Sequence, residues 1–467
     1  MAEFQMKDLE NALEGGKPTA WHIEDRRLCT TEESYMAISH VWADGTGVGG
    51  GRPAGTVNQC LLGYFSTIAK GQGCVGVWWD TISVPERSPA RGLALQNMHS
   101  YYRQAKCTVV HDAYLLHIPW REDGSPCIAL VLSPWFTRGW TALELLVSES
   151  VKVIFKDGQI KDLKSEILAK DPASSTRGHW MATQMIRRLR RPVGSLNDLL
   201  AILSPRHTSW MRDRTAIAAL LVGLPDFDPS DAESTTTQRI VSHLGKVVHA
   251  HLLHGKSTAT TTGPFSWLPS TLDDIPVDFP GDLTGVTSSS ALLNVSTNGV
   301  VEGSWFCRCV RESDVNENRV RPWGLDSAAQ FKVDAALLEW ENCLLLSPTE
   351  KFKDRVLLAY SCGMDGALEC QYIATIASHD YWEKESTYEK RLVRIGGNAG
   401  DHISAQRAVK NTSKPHQTKR LSLPFQKKLD EQLPLRGPKN YGRLKVEYPI
   451  SSIPKPPRDR PPQAEHR

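Results

Sequence analysis

The sequence predicts an α/β protein in which a parallel sheet with flanking helices is followed by a helical segment and a β-rich C-terminal region. Through the first 160 residues, short apolar strands alternate with amphipathic helices, which is typical of a parallel sheet covered on both faces. Short helical stretches come next, and strand-like stretches dominate from Pro264 onward. At 467 residues the chain has room for two or three domains.

The first region contains the elements of the predicted parallel sheet. Apolar runs predict strands at residues 35–42, 74–80, 107–112 and 151–155, and helical periodicity predicts helices at residues 57–70, 90–105 and 140–148. In such sheets, ligands bind at the carboxyl ends of the strands. We therefore expect a site near residues 39–44, residues 80–84 and Asp112.

The second region has a helical pattern and the third a strand pattern. Helices are predicted in "SLNDLLAIL", in "RDRTAIAALLVGL" and over residues 236–254, and strands in "ALLNVSTNGVVEGSWFCRCV" and "LECQYIATIAS". The longer helix carries His249, His251 and His254, of which the last two share a face and could ligate a metal. Because no third ligand is in view, we favour a histidine pair without a metal.

These patterns divide the chain into five segments. They are an N-terminal extension (1–30), an α/β domain (31–160), a helical segment (161–260), a β-rich domain (261–400) and a basic, Pro-rich tail (401–467) that is expected to be largely disordered. From Ala405 onward there are 15 Lys or Arg against 5 Asp or Glu, a net charge of +10, whereas the whole chain carries +3. No DNA- or RNA-binding motif accompanies this charge, so nucleic-acid binding is not expected.

Composition indicates a globular, cytoplasmic protein. Hydrophobic residues make up 40% and charged residues 23%. No apolar run approaches 18 residues, so a membrane span is not expected, and "MAEFQMKDLE" lacks the features of a signal peptide. The ten cysteines include no CxxC pair, a pattern that favours reduced thiols over disulfides or a zinc site.

A glycine-rich loop follows the first strand and formally matches the dinucleotide fingerprint. Its pattern is Gly45-x-Gly47-x-x-Gly50, but Gly51-Arg52-Pro53 delays the following helix, whose N-terminus should hold the pyrophosphate. The next acidic strand end, Asp80, lies 30 residues beyond Gly50 rather than about 20. We interpret the loop as mobile and close to a nucleotide, and a Rossmann-type oxidoreductase is the less favoured alternative.

Four stretches of the chain resemble a known family. "YMAISHVWADG", "VWWDTISVPERSPARGLALQNMHSYYRQAKCTVVHDAYL" and "SPWFTRGWTALELLVSESVKVIF" resemble the three successive blocks of the fungal HET (heterokaryon incompatibility) domain. "PRHTSWMRDRTAIAALLVGL" resembles the segment that follows them, so the similarity covers about residues 35–225. Two positions depart from the family: Ile82-Ser83-Val84-Pro85 replaces its usual Cys-Ile-Asn-Gln, and Leu143-Glu144 replaces its usual Gln-Glu.

HET domains in turn resemble TIR domains, some of which cleave NAD at the nicotinamide bond. The resemblance implies a flavodoxin/TIR-like sheet and places the catalytic glutamate of a Trp-x-x-x-Glu helix at Glu144, four residues after Trp140 and on the same helix face. An ionised Glu144 would stabilise the positive charge that develops on the ribose. The residues expected to line the NAD pocket are Ser39, His40, Trp42, Asp80 and Trp140. No cofactor is expected, because NAD would be the substrate, and no metal ligands are assigned.

The same residues could instead have structural roles. Glu144 could pair with Arg138 or Arg103, Trp135 and Trp140 could be core aromatics, and Asp80 could cap a turn. Ser39 and His40 are adjacent in a strand and point to opposite faces, which disfavours a catalytic dyad. We expect Arg206, Asp213 and Arg214 to lock the helical segment onto the sheet.

The function implied by the resemblance is that of an effector in fungal nonself recognition and programmed cell death, a form of innate immunity. The favoured activity is NAD hydrolysis, and the alternative is a non-enzymatic signalling or scaffold module. Both allow a homo-oligomer and an unidentified protein trigger.

Overall fold

The computed structural model describes residues 1–47, 55–87, 89–169, 176–277, 292–324, 327–349, 355–365, 367–377 and 388–396. The described residues all belong to one compact unit. The predicted tail at 401–467 lies outside the described residues.

A six-stranded sheet forms the centre of the N-terminal region in the described part of the chain. The strands of this region are β1 (Ala2–Glu3), β2 (Trp21–His22), β3 (Tyr35–His40), β4 (Thr56–Val57), β5 (Gly76–Trp78), β6 (Cys107–His111), β7 (Val151–Ile154) and β8 (Ile160–Asp162). The helices are α1 (Met6–Glu14), α2 (Gln59–Gly71), α3 (Asp80–Ser83), α4 (Ala90–Gln96), α5 (Met98–Gln104), α6 (Ser125–Leu132) and α7 (Trp140–Val147).

The spatial order of the sheet is β2-β5-β3-β6-β7-β8. The four inner strands are parallel, and β2 and β8 are antiparallel edge strands. Counted along the chain, the parallel strands stand in the order 2-1-3-4. Such an order reverses direction between β3 and β6, and this is the point at which doubly wound sheets bind ligands.

Helices cover both faces of this sheet, as the two adjacent tryptophans at the end of β5 show. Phe65 of α2 packs on Trp79, whereas Tyr102 of α5 packs on Trp78. Neighbouring residues of an extended chain point to opposite faces, so α2 and α5 lie on opposite sides. The six residues of β3 are all buried, because this strand has a parallel neighbour on each side. The predicted α/β class is confirmed.

The predicted helix at 90–105 is two helices. The chain breaks at Asn97, whose side-chain amide donates to the Leu93 carbonyl at 3.0 Å. Asparagine competes for backbone groups in this way, and it interrupts the helical ladder between α4 and α5. The predicted helix at 57–70 begins later, at Gln59, because the Asn58 side chain caps it by accepting from the amides of Cys60 and Leu61.

The helical region contains α8 (Arg177–Leu189), α9 (Leu196–Leu203), α10 (Met211–Leu221) and α11 (Glu233–Leu244). The prediction of one helix over 236–254 was wrong. The helix ends at Leu244 because Gly245 adopts a left-handed conformation with φ of 66°, the usual C-terminal stop. The chain continues as strand β9 (Lys246–Val248) and a 3-10 turn, His249–Leu252.

The C-terminal described region is β-rich, as predicted, and it closes into a barrel. Its strands are β10 (Leu292–Val295), β11 (Val301–Cys309), β12 (Cys343–Ser347), β13 (Arg355–Asp365), β14 (Ala367–Ala377) and β15 (Glu389–Ile395), and its helices are α12 (Glu312–Asn316) and α13 (Ser327–Leu337). Among the described strands, β11 through β15 form a closed ring of five, because β11 pairs with both β12 and β15. β10 pairs with β11, and β9 pairs with β10.

The main hydrophobic core extends through the α/β sheet, the helical region and part of the barrel. A second cluster of buried side chains joins α13 to the barrel strands. Among the described residues, none of the helices combines the length and apolar character needed to span a bilayer.

Candidate functional site

The candidate site lies at the carboxyl ends of β3, β5 and β6. His40 ends β3 and stands in register with His111, which ends β6. Asp80 begins α3, two residues after the end of β5. The structure therefore brings Ser39, His40 and Asp80 to the reversal point of the sheet, where the topology places ligands.

Glu144 reaches this edge from α7. Its Oε2 atom accepts a hydrogen bond from the Ser39 hydroxyl, and Ser39 in turn accepts one from the Trp135 indole at 2.6 Å. The residue is only 6% exposed. The hydroxyl of Tyr102 also interacts with the Glu144 carboxyl.

Burial has the largest effect on the pKa of Glu144. It raises the pKa of this carboxyl to about 7, although the Ser39 hydrogen bond and the positive charge of Arg138 both favour the ionised form. The expectation of a fully ionised Glu144 therefore changes: both protonation states are populated near neutral pH. A carboxyl poised in this way is typical of catalytic sites.

His40 and Asp80 form a second group on the other face of β3. The His40 ring contacts Thr46 Oγ1 through Nδ1 at 2.5 Å and Asp80 through Nε2 at 2.6 Å. The Thr46 hydroxyl also donates to the Val41 carbonyl at 2.9 Å, and the Trp79 indole donates to His40 Nε2 at 3.2 Å. The indole of Trp42 donates to the second oxygen of Asp80 at 2.7 Å, and Trp42 is 40% exposed. Ser39 and His40 thus serve different carboxylates, in agreement with their opposite orientations.

Asp80 is ionised, in contrast to Glu144. Burial alone would raise the pKa of Asp80, but His40, the Trp42 indole and the charge of Arg138 outweigh it and hold the pKa at about 2.

Arg138 links the two carboxylates. Its guanidinium donates to the His40 carbonyl and lies 5.8 Å from the centre of the Trp42 ring. Its charge favours the ionised form of both Asp80 and Glu144. Sequence reasoning treated Arg138 only as an ion-pair partner. One feature of the sequence could have pointed to Arg138: it lies two residues before Trp140, the first residue of the Trp-x-x-x-Glu motif.

Trp140 is half-buried and contacts the helical region. Its indole donates to Asp213 of α10 at 3.0 Å. Arg206 donates to the Arg138 carbonyl, and Arg214 donates to the carbonyls of Leu203 and Arg206. Arg206 and Asp213 therefore join the helical region to α7 and the residues before it, as the sequence led us to expect, whereas these Arg214 bonds stay within the helical region.

The described part of the glycine loop packs against Trp42, and no α-helix begins in it. A Cβ atom on Gly47 would lie 2.4 Å from Trp42 Cγ, so this position requires glycine. Gly50 and residues 51–54 lie outside the described residues. The first amides of α2 are already bonded to Asn58, which is unlike the open helix N-terminus of a dinucleotide cradle.

The three histidines of the second region bond to separate backbone groups. His249 contacts the Ser304 carbonyl at 3.0 Å, His254 contacts the Trp267 carbonyl at 2.8 Å, and His251 accepts from the Val248 amide. Within the described ranges, no three His, Cys, Asp or Glu side chains are placed to hold a metal ion.

No protein-family model matches the chain, and neither a curated protein nor a solved structure matches it.

Proposed function

We propose that this protein is a HET-domain effector of nonself recognition and cell death whose TIR-like domain cleaves NAD at the nicotinamide–ribose bond. The observation that carries the proposal is Glu144, a buried carboxyl with a pKa of about 7, held by Ser39 at the reversal point of a parallel sheet. The 2-1-3-4 strand order supports a flavodoxin-like, and hence TIR-like, sheet.

The reaction needs one ionised carboxylate. The bond between ribose C1′ and the nicotinamide nitrogen breaks, nicotinamide leaves as a neutral molecule, and water adds to the ribose with release of a proton. Positive charge develops on the ribose in the transition state. Ionised Glu144 stabilises that charge and orients the sugar through a ribose hydroxyl.

The neighbouring residues shape the rest of the pocket. Asp80 fixes the His40 ring and the Trp42 indole by hydrogen bonds. The exposed part of Trp42 offers an aromatic face for stacking on a base or ribose. Arg138 supplies positive charge beside this face, suited to a phosphate of the substrate.

The test is nicotinamide release from NAD by the concentrated full-length protein. Glu144→Gln is expected to lose at least 100-fold in rate, as is usual when a group that stabilises transition-state charge is removed. Glu149→Gln is the matched control, because Glu149 is exposed just beyond the same helix. Equal rates in all three proteins, or no release from any of them, would contradict the proposal.

The second candidate is a self-associating signalling or scaffold module without catalysis. The observation in its favour is that site residues already satisfy one another: Asp80 accepts from Trp42 and contacts His40, and Ser39 is bonded to Glu144. This candidate predicts concentration-dependent oligomers that are unchanged by Glu144→Gln, together with no nicotinamide release. Sedimentation velocity on the two proteins measures the first outcome.

A further inference from the structure

Arg206 is a buried cation beside the candidate site. It lies in the connection between α9 and α10 and is 2% exposed. Its guanidinium carbon is 4.5 Å from the centre of the Phe136 ring. Burying an isolated charge costs several kcal/mol unless an opposite charge or a set of hydrogen bonds compensates it.

The hydrogen bonds of Arg206 compensate it only in part. Nη1 donates to the Arg138 carbonyl at 2.9 Å and to Thr141 Oγ1 at 3.0 Å. Among the described residues, Nε and Nη2 have no hydrogen-bond partner. The side chain therefore keeps uncompensated positive charge in the interior.

Glu144 is the anion whose charge acts on Arg206. Thr141 precedes Glu144 by one helical turn of α7, so the two side chains share a face, and Arg206 is bonded to Thr141. Burial lowers the pKa of Arg206 to about 10, and the negative charge of Glu144 opposes that decrease. A guanidinium with this pKa remains charged throughout the neutral range.

We propose that Arg206 is a positioning residue of the candidate site: it fixes the first turn of α7 and serves as the buried counter-ion of Glu144 whenever that carboxylate is ionised. The catalytic meaning of this inference rests on the proposed function, whereas the electrostatic coupling between Arg206 and Glu144 does not. Arg206 would set the fraction of Glu144 that is ionised at neutral pH, and so the fraction of molecules competent for reaction.

Other charged and titratable groups act on Glu144 from several elements. They are His40 on β3, Asp80 on α3, Tyr102 on α5 and Arg138 before α7. Of these, Arg138 is the other fixed cation, and it donates to the His40 carbonyl at the strand end. The experiment must therefore separate the effect of Arg206 from that of Arg138.

The experiment is a ¹³C NMR titration of the Glu144 carboxyl in full-length protein labelled at glutamate, with Glu144→Gln used to assign the signal. Arg206→Gln can keep a donor near the Arg138 carbonyl while removing the charge. It is expected to raise the titration midpoint of Glu144 by about one pH unit, the usual effect of losing a nearby opposite charge. Arg206→Lys retains the charge and is expected to leave the midpoint within a few tenths of a unit. A midpoint in folded Arg206→Gln equal to that of the wild type would overturn the proposal.

A double-mutant cycle keeps the proposal testable if Arg206→Gln is poorly folded. At pH 8.5, where Glu144 is ionised, Glu144→Gln is expected to stabilise the Arg206→Gln protein more than it stabilises the wild type, whereas at pH 5 its effect is the same in both backgrounds. The matched cycle with Arg138→Gln reports the separate coupling of that cation. An equal effect of Glu144→Gln in the wild-type and Arg206→Gln backgrounds at pH 8.5 would show that Arg206 has only a structural role. Neither the NMR titration nor the stability cycle measures nicotinamide release, so both tests remain valid if the proposed function is wrong.

Discussion

Two buried carboxylates in the same compact unit illustrate different uses of burial. In the barrel region, Asp314 is fully buried and binds Arg308 through two hydrogen bonds, at 2.9 and 3.3 Å, while also accepting from the Arg311 amide at 2.9 Å. At the sheet edge, Glu144 is almost as buried but is bonded to the Ser39 hydroxyl, and its cations stand further off. The first arrangement matches each charge with its partner and holds α12 to β11. The second leaves a carboxyl that changes protonation near neutral pH, which is what a reaction can use.

The largest effect expected from this comparison is in the barrel. Asp314→Ala leaves Arg308 buried without its carboxylate and is expected to lower the free energy of unfolding by about 3–5 kcal/mol. Urea denaturation at pH 7 measures the loss. Glu312→Ala, at an exposed position of the same helix, should change it by less than about 0.5 kcal/mol. Similar small losses in Asp314→Ala and Glu312→Ala would show that the pairing of Asp314 with Arg308 contributes little to stability. The contrast drawn between Asp314 and Glu144 would then fail.

The next effect is a pH dependence of stability that comes from Glu144. Its pKa is about 7 in the folded protein and near 4.5 in the unfolded chain, so the folded state holds the proton more tightly. This contribution to stability is complete below pH 4.5 and is lost as the pH rises through 7. Between pH 5 and 8.5 the wild type should lose about 3 kcal/mol relative to Glu144→Gln. Parallel stability curves for the two proteins would show that Glu144 titrates normally.

Asp80 should show the opposite sign. Its pKa is lowered in the folded protein, so its contribution to stability is present above pH 3.8 and is lost as the pH falls through 2. Asp80→Asn is expected to cost about 2 kcal/mol at pH 7, through its weakened hydrogen bonds to His40 and Trp42, and progressively less in acid. Asp157→Asn, at an exposed turn, is the control. A cost that persists unchanged at pH 2 would mean that the Asp80 charge contributes nothing.

The smallest effect concerns the attachment of α7 to α10. Trp140→Phe removes the indole donor to Asp213 and is expected to cost about 1 kcal/mol. Trp210→Phe, at a tryptophan that is 70% exposed, should be nearly neutral. If Trp140→Phe is also neutral, the Asp213 contact does not hold the helical region to the sheet.

The sequence predicts the parallel sheet well because its strands are short apolar runs between clear helical periods. It fails where one residue decides the local structure: Asn97 divides a helix, and Gly245 ends one that the apolar pattern would have continued. Among the site residues, Ser39, His40, Asp80 and Glu144 could be predicted because strand ends and a Trp-x-x-x-Glu motif mark them. Thr46, Trp135 and Arg206 could not be placed at the site, because their contacts with it depend on how separate elements pack. The raised pKa of Glu144 is likewise a property of packing.

The most direct test of the account is the pH dependence of nicotinamide release from NAD by the full-length protein between pH 5 and 9. If ionised Glu144 stabilises the ribose charge, the turnover rate rises with pH and levels off above an apparent pKa near 7, and Arg206→Gln moves this rise to higher pH. A rate that is independent of pH through this range, or that falls as Glu144 ionises, would contradict the account.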